Sequence, residues 1–130
     1  MNKIVELRSS EKGQGMVEFI FVLPFLLLLL LGMAETGMIL NAKITATQAA
    51  REGARSSVIL PKGADYVAAA ESNVATYMAN IGKSSGYSAD ATVLSSDSLS
   101  VTVIYDYTPS FIPGLPNPLQ IESKVIMRIE

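Results

Sequence analysis

The 130-residue chain has no cysteine, no histidine and no tryptophan. Without cysteine there is neither a disulfide framework nor a thiolate metal site. The missing histidine removes the commonest general base and the commonest metal ligand together. It also excludes a Ser/His/Asp triad, although serines are frequent in residues 84–100. Asp65, Asp90, Asp97 and Asp106 are scattered and match no calcium-loop spacing. No glycine-rich phosphate loop follows a strand pattern. With 10 basic against 12 acidic residues and no basic stripe, nucleic acid is excluded as the expected partner. The expectation is therefore a chain that is not an enzyme and holds no cofactor or metal.

Apolar residues make up 49% and charged ones only 17%, and the apolar excess lies in the first third of the chain. Residues 11–32, EKGQGMVEFIFVLPFLLLLLLG, place a carboxylate, Glu18, inside what is otherwise an apolar run. Between Met16 and Leu40 the only charges are Glu18 and Glu35. As a helix this segment is about 37 Å long, more than a hydrocarbon core of about 30 Å. Its uninterrupted apolar part, Phe19 to Leu31, is roughly as long as the core of a cleavable secretory signal.

Three readings fit these residues. In the first, Lys3, Arg8 and Lys12 form the basic head of a secretory signal and Gly32-Met33-Ala34 the small-residue cleavage site, so that cleavage after Ala34 releases a soluble binding module. Against it, Met38, Ile39, Leu40, Ala42 and Ile44 prolong the apolar helical pattern. In the second, the segment is a plain anchor with Glu18 near one interface, where an acidic residue costs less than at mid-membrane. In the third, the pattern GQGMVEF, residues 13–19, is itself the signal: a glycine, four residues, then Glu18 followed by the aromatic Phe19.

That pattern resembles the prepilin peptidase site of the type IV pilin superfamily, in particular its tight-adherence (Flp) branch. The resemblance implies a leader of residues 1–13 cut between Gly13 and Gln14, and Glu18 as the fifth residue of the mature chain. Such a cut creates an α-amino group on Gln14, about 6 Å of helix rise from Glu18. A carboxylate among apolar helices is costly when unpaired, so Glu18 would select an axial stagger at which it meets a neighbouring subunit's amine. Gly32 with Thr36, and Ala49 with Gly53, stand four apart and suit close helix packing. Pro24 should loosen or kink the helix.

The helical pattern continues through residues 41–60, with Ile44, Thr47, Ala50 and Ala54 expected on one side, and should stop before Pro61. Arg51 and Arg55 lie one turn apart with Glu52 between them, and are read either as a solvated face paired with carboxylates or as a partner contact. A second helix is expected over 64–80 on the stripe Tyr66, Val67, Ala70, Val74, Tyr77, Met78 and Ile81, ended by Gly82. Residues 98–107 and 119–130 alternate as half-buried strands, and a shorter strand at 90–94 turns back through Ser95-Ser96-Asp97. The linking stretch TPSFIPGLPNPL carries Pro109, Pro113, Pro116 and Pro118, a stiff loop on which Phe111, Ile112 and Leu115 are candidate contacts. They can equally tuck back over the sheet edge.

The block QAAREGAR, residues 48–55, and the order of strands with a final Met-Arg-x-Glu resemble TadE-like pseudopilins. The expected fold is α+β: a long N-terminal helix, residues 14–60, membrane-spanning over about 16–40, and a head domain, residues 61–130, with one helix on a three-stranded antiparallel sheet. What the resemblance implies is a minor pilin of a bacterial tight-adherence pilus, single-pass in the cytoplasmic membrane with the head extracytoplasmic. Its partners would be other pilins, the prepilin peptidase, the inner-membrane assembly machinery and the lipid bilayer.

Overall fold

The computed structural model describes residues 2–95 and 97–129, with side chains from Gly13 onward. The side chains of Lys3, Arg8 and Lys12, and Ser96 of the expected turn, lie outside the described residues. One helix, α1 (Asn2–Val58), runs through Pro24 without a break and ends three residues before Pro61. It is followed by α2 (Tyr66–Asn80) and three strands, β1 (Tyr87–Ser95), β2 (Ser98–Tyr107) and β3 (Leu119–Arg128). The sheet is an antiparallel meander in the order β1-β2-β3.

Local chemistry sets the ends of α2. Asp65 accepts a hydrogen bond from the Ala68 amide at 3.0 Å, which fixes the start at Tyr66, two residues later than the expected Ala64. At the other end Gly82 takes φ +76°, its N–H bonds to Ala79 and that of Lys83 to Met78. This is the paired closure that a left-handed residue after the helix permits, and glycine adopts it without a Cβ penalty.

The core is built by pairing small residues on α1 with large ones opposite. Ala42, Ala46, Ala49, Ala50 and Ala54 are buried against Leu99, Val101 and Val103 of β2, Ile121 of β3, and Val74 and Met78 of α2. Both helices cover the sheet, α1 across β2 and β3 and α2 mainly on β1. The C-terminal part of α1 is thus integral to the head, whereas residues 13–34 contain no buried position.

Several expectations change in detail. Ile44 is exposed, because the buried stripe of α1 follows Glu35, Ile39, Ala42, Ala46, Ala49, Gly53 and Ser57, and Ile44 lies off it; Thr47 is half-buried while Ala50 and Ala54 are buried as expected. Ile81 is also exposed, since it is the C-cap and its backbone has left the helical stripe. The first strand extends from Tyr87 rather than Asp90, paired to Tyr105. Strand β3 ends at Arg128, where its partner β2 begins at Ser98.

Candidate functional site

Residues 13–34 of α1 form a free apolar rod about 33 Å long. Phe19, Phe21 and Phe25 are all well exposed, as are Leu26 to Leu31. Gly13, Gln14 and Glu18 are exposed on the same rod and meet no part of the head. Gly32 and Thr36 touch nothing across the helix: a Cβ on Gly32 would have no neighbour within 4 Å, and the Thr36 hydroxyl donates back to the Gly32 carbonyl at 2.9 Å. That pair remains available to an outside helix.

Ala49 and Gly53 meet a partner inside the chain. Ala49 is fully buried, and a Cβ on Gly53 would lie 2.5 Å from the Val74 Cγ2 and 3.0 Å from the Ala70 carbonyl oxygen. The small spacing therefore lets α2 approach α1 at backbone contact. Ser57 folds its hydroxyl back onto the Gly53 carbonyl at 2.7 Å, so its buried polar atom is satisfied.

The rod meets the head at Glu35. Its side chain is 1% exposed. One carboxylate oxygen accepts from the Tyr107 hydroxyl at 2.7 Å and the other from the Phe111 amide at 2.8 Å, with the Ser110 amide at 3.3 Å. Burying a carboxylate is costly unless charge-assisted donors replace water, and here backbone and phenol donors do so. The carboxylate in turn pushes the Tyr107 phenol up to about 12, because ionisation would forfeit the hydrogen bond that the phenol donates to Glu35; burial and the repulsion of two negative charges act in the same direction. Sequence reading treated Glu35 only as a charge within the apolar segment. Its partners stand 72 to 76 residues away, so nothing local marks it.

Below this clamp, further contacts fix the sheet on α1. Lys43 donates to the Glu122 carbonyl, and the Thr47 and Ser123 hydroxyls pair at 2.8 Å. With Glu35 on Tyr107, these place the end of β2 and the start of β3 toward the rod. The proline-rich loop, residues 108–118, consequently lies at the rod end of the sheet. Phe111 and Ile112 are exposed on it, 41% and 37%, while Leu115 is half-buried.

Arg51 and Arg55 are exposed on α1, away from the clamp. Neither pairs with Glu52: the one ion pair among the described residues is Arg128 with Asp97 at 3.8 Å, both well exposed and so worth little. With Gln48, Glu52, Tyr77 and Met127 the two arginines line an open cleft of about 400 Å³. Tyr77 closes one side by donating to Gln48 at 2.8 Å. Among the described residues no group of acidic side chains is arranged to hold a metal ion.

No curated protein and no solved structure matches the chain. A family match covers about a third of it, from Gly13 through the exposed rod and Glu35 to Arg55. Residues 13–55 match the model of a family described as TadE-like protein, and over that segment the chain is similar to it.

Proposed function

We propose that this chain is a membrane-anchored minor pilin or pseudopilin that supports assembly of a tight-adherence pilus. The family match over residues 13–55 carries the reading. It begins at Gly13, where the GQGMVEF pattern sets the peptidase cut, and the exposed rod supplies the span. The span is read over about residues 16–40, and its first part, residues 16–34, about 28 Å long, lies outside the head, whose contacts start at Glu35. That free length is close to a hydrocarbon core of about 30 Å. In this role the leader is removed by a prepilin peptidase, the head stays extracytoplasmic, and other pilins and the assembly machinery dock on the rod, on Gly32 and Thr36, and around Arg51 and Arg55. Glu18 and Phe19 set the register, the carboxylate by pairing with a neighbouring subunit's terminal amine.

Intact-mass analysis of the protein from its native membranes tests the processing step. The expected chain begins at Gln14, and a chain retaining Met1 would remove the pilin reading. Glu18→Ala is expected to leave the head folded while chain recovered with other pilins falls at least about tenfold, as loss of a buried charge pair implies. Undiminished co-purification and piliation in that variant would discard the register role.

A second reading has one observation in its favour. The head's contacts begin at Glu35, immediately after Ala34, so a cut there would leave them complete and release a soluble module. The same mass measurement separates it, since that chain begins at Glu35.

A further inference from the structure

The Glu35 clamp raises a question that pilus assembly leaves unanswered: why a buried carboxylate holds a loop whose tip is apolar and exposed. Residues 108–119, TPSFIPGLPNPL, contain no charged side chain. The loop is fastened by its Ser110 and Phe111 amides to the helix position that follows the free rod. Glu35 stands four residues, about 6 Å, beyond Leu31, the last of the leucine run. Headgroup layers add about 6 Å to each side of a hydrocarbon core. If the rod spans a bilayer, the clamp is at headgroup depth and the tip of the loop is beside it.

We propose that the proline-rich loop is a second membrane contact, with Phe111 and Ile112 inserted at the boundary between headgroups and acyl chains of the same bilayer that the rod crosses. The proposal rests on the reading of the rod as a span and deepens it. Continuity of surface favours lipid as the occupant: the Phe111 amide ties the exposed apolar tip to Glu35, one helical turn beyond the exposed Leu31 at the end of the rod. Charge does not decide the matter, since Lys83, stacked over Tyr105, and Asp106 stand at the same end of the sheet and offset each other. The prolines restrict the loop, so little conformational entropy is lost when the tip enters the interface. Two contacts instead of one restrain the tilt of the head, because a single span by itself can lean over a range of angles in the bilayer. Glu35 is then a positioning residue that sets the depth of the tip.

The lack of tryptophan makes the test direct. Full-length Phe111→Trp is reconstituted in phosphatidylcholine–phosphatidylglycerol vesicles carrying bromine at shallow or deep acyl positions, beside Leu28→Trp in the rod and Ile126→Trp on β3. The expected result is blue-shifted emission from the Phe111→Trp protein, quenched several-fold more by shallow than by deep bromine. Leu28→Trp should be quenched by deep bromine and Ile126→Trp by neither. An unquenched loop beside a quenched rod overturns the proposal and leaves the span intact. If the Leu28→Trp protein is also unquenched, the span reading falls and the proposal with it. Emission that shifts only when other pilins are added assigns the tip to a protein partner and likewise overturns it. Should Phe111→Trp misfold, Ile112→Trp gives the same readout one residue along.

Discussion

Replacing Gly53 by valine is expected to cost about 3 kcal/mol or more in unfolding free energy, the upper range for overpacking a filled interior. The first added atom alone would stand 2.5 Å from the Val74 side chain and 3.0 Å from the Ala70 carbonyl. Val74 can rotate, but the carbonyl belongs to α2 and moves only with the helix. Two further methyl groups then force α2 off α1 and disturb Met78 and Leu99 behind it. Alanine at the same place is informative because it gains about 1 kcal/mol of helix propensity over glycine. Gly53→Ala should therefore be only moderately destabilised, and valine far more. Denaturant unfolding of the full chain in detergent, followed by near-ultraviolet circular dichroism of its tyrosines, gives both values. Equal stability of all three proteins would mean that α2 does not approach α1 at this residue.

The second large effect is expected at Glu35, and it is local. Glu35→Ala removes the acceptor for the Tyr107 hydroxyl and for the Ser110 and Phe111 amides at once. Because the loop is near the surface, water can replace part of what is lost, and the sheet should survive. Amide exchange at Ser110 and Phe111 should accelerate at least about tenfold, the factor expected when a charge-assisted hydrogen bond is lost. Amides of Val101 and Val103 in the core should keep their protection. The Tyr107 hydroxyl should meanwhile ionise below about 12, shifted toward the ordinary 10, since the hydrogen bond and charge of the carboxylate that oppose its ionisation are gone while burial still acts. Hydrogen exchange with spectrophotometric titration reads both. Unchanged exchange at Phe111 would show that the loop is held by its prolines alone.

These two sites differ in how they are written in the sequence. Gly53 stands in a visible pattern, four residues after Ala49, and small-residue spacing already pointed to close helix contact. What the pattern left open was the partner, which is α2 of the same chain rather than another subunit's helix. Gly32 and Thr36 share the spacing but keep their face open. Spacing reports that two surfaces can approach, whereas the occupant depends on the path of the chain.

Periodicity and composition alone determined the order of elements. The long apolar helix, the 3.6-residue stripe of Val74 and Met78, the alternation through Leu99, Val101 and Val103, and the stop at Gly82 are each local signals, because propensity and capping act within a few residues. The missing histidine and cysteine, and the GQGMVEF head, likewise lie in the sequence itself. Only the tertiary structure decided that the C-terminal half of α1 is a wall of the head, that Ile44 faces outward, and that the free rod ends at Ala34. It alone revealed the Glu35 clamp. A buried carboxylate is stable only where distant donors converge on it, and convergence of Tyr107, Ser110 and Phe111 on one helix position comes from the β2–β3 register, which no local pattern encodes.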